Sequence, residues 1–569
     1  MTEGVTTLSA VAPKARPILG RDDWIMRWGL LVLGVWLSVA VVLPLYTLLS
    51  KSLEDHGGRF IGLANFAEFF ATPVLFHSIY NSLTIAIIST AITITLAFIY
   101  AYALTRSCMP GKAIFKGIAM VPILAPSLLP AISLVYLFGN QGMIKGVLMG
   151  ETIYGPIGIV MGEVFWTFPH ALIIIITALS MADARLYEVA ESLGTSKLRT
   201  FFTVTLPGAR YGVISACFVV FTLVITDFGV PKVIGGQYNV LATDVYKQVI
   251  GQQNFQMGAV VGMVLLVPAV LAFIADRIIQ RKQVALISAR AVPYHPKPKT
   301  RFDMAMMGFC CVVGFMILGI IAVDAFASFI QLWPYNLSLT LYNYDFDLRD
   351  GGGWASYRNS IVMASYTAVI GTVIIFAGAY LVEKIRGFTV IRSLVQFMCI
   401  IPLAVPGLVL GLAYIFFFNH PANPLEFVYG TMAILVICTV THFYTVSHLT
   451  ATTALKQMDP EFEAVSMSLK VPFYKTFWRV TVPVCVPAIL DISIYLFVNA
   501  MTTVSAVVFI YSADTTLASV AVLNMDDAGE VASAAAMGMM IVVTSAGVRA
   551  LHALLTRGIA RTSQAWRVR

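Results

Sequence analysis

Residues 183–207 read DARLYEVAESLGTSKLRTFFTVTLP, and residues 459–483, which lie 276 positions later, read DPEFEAVSMSLKVPFYKTFWRVTVP. Both segments are polar and interrupt long apolar stretches. They share an acidic start, a Thr-Phe pair (Thr200 and Phe201, Thr476 and Phe477) and a closing proline at the same internal positions. These shared positions indicate that the chain contains an internal duplication.

The composition of the 569-residue chain is that of a membrane protein. Hydrophobic residues make up 59% and charged residues 12%, and mean hydropathy is +0.84, whereas soluble proteins carry about 25% charged residues. A membrane helix needs about 20 apolar residues. Twelve stretches meet that need, near 28–50, 79–104, 114–138, 157–180, 212–234, 255–275, 304–328, 359–382, 393–418, 428–450, 486–510 and 531–553. We therefore predict an all-α polytopic membrane protein.

Lysine and arginine are concentrated in alternate loops. They cluster near residues 14–27, 106–116, 185–210, 277–301 and 549–569, whereas acidic residues gather near 54–68, 345–350 and 514–530. Basic residues accumulate on the cytoplasmic side of membrane proteins. We therefore expect both termini and both repeated segments to lie in the cytoplasm. The net charge of +8 is attributed to this topology and not to nucleic-acid binding.

The duplication extends through both halves of the chain. Asn81 and Ser82 recur as Asn359 and Ser360, and the prolines of the third stretch recur in the ninth. Six helices in each half give the two repeats the same orientation, so solute is expected to pass near their interface. The predicted division is a leader at 1–27, a first half at 28–275, a linker at 276–303, a second half at 304–555 and a basic tail at 556–569.

The first repeated segment predicts a short amphipathic helix. Leu186, Val189, Ala190 and Leu193 have the spacing of one helix face. Gly194 follows, and glycine accepts the left-handed conformation that commonly ends a helix. Pro207 is expected at the start of the next membrane helix. A polar loop of this kind, present in both halves, is predicted to dock a soluble partner.

The spacing in this loop resembles that of ATP-binding-cassette (ABC) importer permeases. Glu188, Ala190, Gly194, Leu206 and Pro207 match the family pattern of Glu-Ala-Ala, Gly and Leu-Pro. The resemblance implies a type I importer fold and a coupling helix that seats in a cytoplasmic ABC ATPase dimer. It also implies a periplasmic solute-binding protein as a second partner, with the lipid bilayer around the chain.

The second loop departs from the pattern. Ala464 occupies the glutamate position with Glu463 before it, Lys470 replaces the glycine, and Pro483 is retained. A lysine disfavours the left-handed conformation by roughly 1 kcal/mol relative to glycine. This difference favours a second coupling site that docks differently or contributes less.

The sequence has no motif that predicts chemistry in the chain itself. No Gly-x4-Gly-Lys-Ser/Thr phosphate loop occurs, and no catalytic, cofactor-binding or metal-binding residue is predicted. ATP is expected to be used by the partner ATPase. The alternative is an ion-coupled secondary transporter, which usually needs ionisable groups inside the membrane; the main candidates are Asp227 and Glu163.

Residues near the end of the fifth stretch of each half are candidates for a solute pathway or gate. Asp227, Pro231 and Lys232 lie there in the first half and Thr503 in the second. A charged residue within the membrane is costly and usually faces a polar lumen or a partner. Pro231 is expected to break the helix. A purely structural role for Asp227, capped by Thr226 or backbone, remains equally open.

The cargo is suggested by resemblance alone. The stretch at 221–244 and the linker at 288–294 resemble the fused permease of 2-aminoethylphosphonate importers, a solute that carries both an ammonium and a phosphonate group. Ferric iron and polyamines are the alternatives.

Overall fold

The structure is a computed structural model that describes residues 20–284, 292, 294–385, 387–459 and 461–563. The predictions made for residues 1–19 of the leader, for 285–291 and 293 in the linker and for 564–569 of the tail lie outside the described residues.

Helices long and apolar enough to cross a membrane account for nearly all of the fold. The described residues contain nine such helices and three sharply bent helix pairs, which together give twelve spans. We number them span 1 to span 12: Arg21–Ser52, Pro73–Arg106, Lys112–Leu124 with Leu128–Phe138, Pro156–Ser180, Lys197–Thr226, Phe255–Gln280, Thr300–Phe329, Gly353–Lys384, Thr389–Ala404 with Gly407–Phe418, Met432–His442 with Tyr444–Lys456, Phe473–Thr502 and Val531–Thr556. The prediction of an all-α membrane protein with twelve spans in two repeats is confirmed.

Shorter elements fill the loops. The helices that matter below are Ala184–Ser192 (the first loop helix), Glu461–Ser468 (the second loop helix), Gly229–Ile234, Leu241–Tyr246 and Ala518–Asp527. Within the described residues, sheet is limited to one antiparallel hairpin, β1 (Ile330–Leu332) and β2 (Asn336–Leu339).

Spans 3 and 9 are broken at equivalent prolines. The two parts of span 3 meet at 101° and those of span 9 at 115°. Ala125 precedes Pro126 and Val405 precedes Pro406, and both preceding residues are extended. A residue before proline is driven out of the helical region by the proline ring. The sequence therefore encodes the same bend twice.

Spans 5 and 11 begin earlier than predicted. The short helix at the end of each repeated loop runs directly into the membrane helix through a π-helical turn, Phe201–Thr205 or Phe477–Thr481. Pro207 and Pro483 lie just past that turn, inside a continuous span. Pro207 does lie in the first turn of the α-helix Leu206–Thr226, as predicted. The π turn in front of that helix extends the span back to Lys197.

The first span of each half packs against the other half. Span 1 contacts spans 8 and 9, and span 7 contacts spans 2 and 3. Span 12 also contacts span 7. The two repeats therefore form one interleaved bundle, and the repeated loops project from it on the side predicted to be cytoplasmic.

Candidate functional site

The first loop helix has well-defined ends. The Asp183 carboxylate accepts a hydrogen bond from the backbone N–H of Arg185 at 3.1 Å, which caps the first turn. Gly194 has a φ of +66°, and the N–H of Thr195 donates to the Ala190 carbonyl at 3.0 Å. This is the left-handed termination that the sequence predicted.

The apolar stripe of this helix is divided between two faces. Ala184 and Ala190 are buried, whereas Leu186, Val189 and Leu193 are 55%, 55% and 74% exposed. Ala190 therefore belongs to the inner face and not to the outer stripe. Three large apolar side chains on a loop predicted to face the cytoplasm form a patch suited to a protein partner.

The second loop helix ends in the same way despite its lysine. Lys470 has a φ of +51°, and the N–H of Val471 donates to the Ser466 carbonyl at 2.9 Å. Val465 and Leu469 are exposed, as their counterparts are in the first loop. The fold therefore forms the left-handed turn at Lys470 as well, at a backbone cost of about 1 kcal/mol. That the second site docks differently or contributes less stays a prediction.

An arginine connects the first loop helix to span 2. Arg106, the last residue of that span, is 8% exposed and donates to the Leu179 carbonyl at 2.7 Å. Its guanidinium lies 5.3 Å from the ring of Tyr187 and 4.6 Å from that of Tyr294. The Tyr187 hydroxyl donates to Thr205 Oγ1 at 3.0 Å. Spans 2, 4 and 5 and the linker therefore meet at one cation.

A lysine takes the corresponding place in the second half. Lys384 ends span 8, and its Nζ lies 2.5 Å from Glu463 Oε1 and 3.5 Å from the Leu455 carbonyl oxygen. Lys384 is the counterpart of Arg106, and Glu463 is the counterpart of Tyr187. We call these two contacts the loop anchors. The sequence analysis missed both, although a cation closes span 2 and span 8 at the duplication offset.

Each loop also contacts a segment outside its own six spans. The first loop contacts the linker, and the second loop contacts the N-terminal end of span 1. Lys297 of the linker pairs with Glu191 at 2.8 Å, and the Val292 carbonyl accepts from the N–H of Ala184 at 2.9 Å. In the second loop the N–H of Phe473 donates to the Asp22 carboxylate at 2.8 Å. The N-terminal end of span 1 thus caps a helix in the other half.

The candidate gate residues lie where spans 5 and 11 stop. Asp227 and Thr503 directly follow the two spans and have nearly the same extended conformation. Asp227 is buried, and its Oδ2 accepts from the N–H of Val230 at 2.9 Å, capping the helix Gly229–Ile234. Pro231 lies within that short helix. The break therefore falls at Asp227, and the prediction that Pro231 causes it was wrong.

Lys232 is directed away from Asp227. Its Nζ lies 2.8 Å from Asp527 Oδ1 and 5.3 Å from the centre of the Tyr246 ring. Beside this pair, burial and then the charge of Asp527 raise the pKa of Asp526 to about 6. Lys232, Asp526 and Asp527 therefore lie close together where the two halves meet. The sequence had placed Asp526 and Asp527 only in an acidic loop.

The fold consists of two six-span repeats, each with an exposed helical loop between its fourth and fifth spans. The chain matches the family of binding-protein-dependent transport system inner membrane components at residues 94–284 and again at 374–561. The chain belongs to this family, with two family domains fused in one polypeptide.

Two of the similar proteins are named as ferric-iron permeases. The ferric transport system permease protein FbpB of Actinobacillus pleuropneumoniae is 28% identical over 83% of this chain and 69% of its own length. A putative ferric transport system permease protein of Haemophilus influenzae is 26% identical over 90% of this chain and 82% of its own. The spermidine/putrescine transport system permease protein PotB of H. influenzae is 25% identical over 43% and 92%.

Among solved structures, a bacterial alginate ABC transporter in complex with a pentasaccharide-bound periplasmic protein is similar to the chain. The alignment has a TM-score of 0.40 and 15% identity, and it covers 46% of this chain and 96% of that one. An amino acid ABC transporter aligns with a TM-score of 0.30 and 16% identity over 39% and 98%. The family assignment is independent of these likenesses.

Proposed function

We propose that this chain is the membrane permease of an ATP-driven importer in the bacterial inner membrane. A cytoplasmic ABC ATPase dimer would bind the two loop helices, and a periplasmic binding protein would deliver the solute. The observation that carries the proposal is the pair of loop helices, which present exposed apolar residues at equivalent positions of a duplicated fold. The family match supports the same conclusion.

The arrangement of the loops indicates how ATPase motion would reach the membrane. Arg106 at the end of span 2 contacts Tyr187 of the first loop helix, and Lys384 at the end of span 8 pairs with Glu463 of the second. The short helix that follows each loop helix continues through a π turn into the rest of span 5 or span 11. A force on a loop helix would therefore act on several spans together, and ATP would be hydrolysed in the partner and not in this chain.

Two cargoes have separate support. The names of the two FbpB relatives favour ferric iron. The resemblance at residues 221–244 and the close approach of Lys232 to Asp527 favour 2-aminoethylphosphonate, since a solute that bears both charges can exchange partners with an ion pair. In either case the binding protein would carry most of the selectivity.

One reconstitution tests the proposal. The chain is placed in proteoliposomes with its ATPase and binding protein, and uptake of radiolabelled ferric iron and 2-aminoethylphosphonate is measured with ATP inside the vesicles. Uptake should require ATP and all three proteins. Uptake by the chain alone, driven by a proton or sodium gradient, would instead establish an ion-coupled transporter.

Growth of a deletion strain separates the two cargoes. Loss of growth on 2-aminoethylphosphonate as sole phosphorus source, with normal growth under iron limitation, would assign the phosphonate. The reverse pattern would assign iron. Accessibility of cysteines introduced at the exposed positions Leu193 and Phe427 would test the predicted topology, since these positions are expected on opposite sides of the membrane.

A further inference from the structure

A cavity of about 700 Å³ lies between the two halves of the permease. Its walls include Tyr136 and Tyr154 from the first half and Trp333, Arg349 and Glu530 from the second. These residues belong to loops and span ends predicted to face the periplasm. Small-molecule sites typically occupy about 300–1,000 Å³ and favour interfaces between domains. The cavity has the size and the position of a solute site, and the gate residues discussed above do not line it.

One wall carries an ion pair whose hydrogen-bonding capacity is only half used. Arg349 Nη1 donates to Glu530 Oε1 at 3.1 Å, with the two side chains 16% and 27% exposed. Arg349 Nε and Glu530 Oε2 are buried and have no hydrogen-bond partner within the described part of the chain. Buried polar atoms are nearly always satisfied by a partner. Both residues also line the cavity, so its wall places a guanidinium and a carboxylate beside an occupant.

Aromatic rings complete the surroundings of the pair. The Arg349 guanidinium lies 4.4 Å from the centre of the Tyr342 ring. Tyr136 and Trp333 meet edge to face at 5.9 Å, and Trp333 Nε1 is held by the Gln141 carbonyl at 3.0 Å. The faces of tyrosine and tryptophan attract organic cations. An ammonium group would therefore find both Glu530 and aromatic rings in this cavity.

The duplication supplies an internal comparison. The positions equivalent to Arg349 and Glu530 in the first half are Ala71 and Asn254. The corresponding segment of the first half folds differently, as the helix Ala64–Ala71, and it lacks the ion pair. The second half alone therefore contributes the ion pair to the cavity between the halves.

We propose that this cavity binds a small zwitterion, with its anionic group on Arg349 and its ammonium group on Glu530 and the aromatic rings. The site would receive solute on the predicted periplasmic side before it enters the spans. This inference rests on the proposed function, and among the two cargoes it supports the aminophosphonate.

Binding to the full chain in lipid nanodiscs tests the inference by calorimetry. The probes are 2-aminoethylphosphonate and two analogues that each lack one charge, ethylphosphonate and ethylamine. The zwitterion should bind at least about tenfold more tightly than either analogue, because each charge-assisted hydrogen bond contributes about 1.5–3 kcal/mol. Equal binding of all three probes, or no binding of the zwitterion at millimolar concentration, would overturn the proposal without any variant.

Variants then locate the binding. Arg349→Gln and Glu530→Gln should each weaken zwitterion binding by about tenfold, and Glu530→Gln should leave ethylphosphonate binding nearly unchanged. Arg59→Gln and Glu426→Gln, at exposed positions predicted to be on the same side, are the matched controls. Wild-type affinity in both cavity variants would show that the zwitterion binds elsewhere.

The failure of this inference is distinguishable from failure of the importer proposal. If the zwitterion binds as predicted but ATP drives no uptake in the three-protein vesicles, the cavity assignment stands and the importer proposal fails. If ATP-driven uptake of iron occurs and the zwitterion does not bind, the importer proposal stands and the cavity assignment fails.

Discussion

Lys384 and Glu463 form an ion pair at 2.5 Å at the place where Arg106 and Tyr187 form a cation–π contact at 5.3 Å in the other half. Both anchors join the end of a span to a loop helix, and both cations approach the carbonyl of the corresponding residue of the fourth span in their half, Leu179 or Leu455. The duplicated fold has preserved the contact and changed its chemistry. The two loops should therefore respond differently to charge substitutions and to salt.

Reversing the charges at the second anchor should impair transport, and reversing both should restore it. Lys384→Glu and Glu463→Lys each place like charges at a half-buried contact, and we expect roughly tenfold lower ATP-driven uptake, equivalent to about 1.4 kcal/mol. The double variant should recover most of the activity in the same vesicle assay. Lys456→Glu is the control, since its pair with Glu383 is longer, at 3.8 Å, and its lysine is more exposed. No recovery in the double variant would show that the pair does not transmit motion.

The left-handed residue of each loop can be exchanged with its counterpart. Lys470→Gly should stabilise the protein by about 1 kcal/mol, and Gly194→Lys should destabilise it by a similar amount. No heavy atom lies within 4 Å of the position that a Cβ would take at Gly194, so the cost there is confined to the backbone. Thermal unfolding in nanodiscs measures both effects. A loss of stability much above 1 kcal/mol for Gly194→Lys would contradict the prediction, because the structure shows free space at that position.

The exposed acid of the first loop helix should be required for coupling. Glu188 projects from the helix beside the apolar patch, so Glu188→Lys should reduce ATP-driven uptake by at least about tenfold through repulsion or lost contact at the ATPase surface. Membrane insertion and basal ATP hydrolysis should persist. Ala464→Lys is the matched change in the second loop, and the sequence predicts that it does less harm. Glu151→Lys, exposed in a loop on the opposite side, should have no effect.

Equal losses from Glu188→Lys and Ala464→Lys would contradict the predicted asymmetry of the loops. The two loops do not differ in backbone conformation, because the left-handed turn at Gly194 is also present at Lys470. What differs is the chemistry of the anchors and of the residues at the patch. The asymmetry therefore remains a prediction about contact with the partner and not about the shape of the loop.

The stability of the charged junction should depend on pH. Burial and Asp527 raise the pKa of Asp526 to about 6 from its ordinary value of 3.8, so ionising Asp526 costs more in the folded protein than in the unfolded chain. Stability should therefore fall as pH rises from about 4 to 6. Asp526→Asn should remove this loss and be more stable than wild type at pH 7 but not at pH 4. Thermal midpoints across that range check it, with exposed Asp514→Asn as the control.

Much of the architecture was readable in the sequence because it depends on local chemistry. The apolar stretches predict the spans, the offset of 276–278 predicts the repeats, and Gly194 predicts the end of its helix. The bends at Pro126 and Pro406 follow from the same local rule, once the preceding residue is considered. These features require no knowledge of distant contacts.

Other features depend on tertiary packing and were missed for that reason. Pro207 reads locally as a helix start, yet a π turn joins that helix to the short helix before it, so the span begins at Lys197. Lys470 is an unfavourable residue for its turn, yet the surrounding contacts impose the turn. Arg106 and Tyr187 lie 81 residues apart, and Arg349 and Glu530 lie 181 apart, so no local pattern predicts that they meet.

The exchange of the first spans between the halves bears on how the protein is made. Span 1 emerges first from the ribosome, but the spans 8 and 9 on which it packs begin 301 residues and end 366 residues after Ser52, the last residue of span 1. Until then its contact face must be shielded by lipid or by an insertion factor. A gene split within the linker would consequently yield two polypeptides that are each short-lived when produced alone and persist only when produced together.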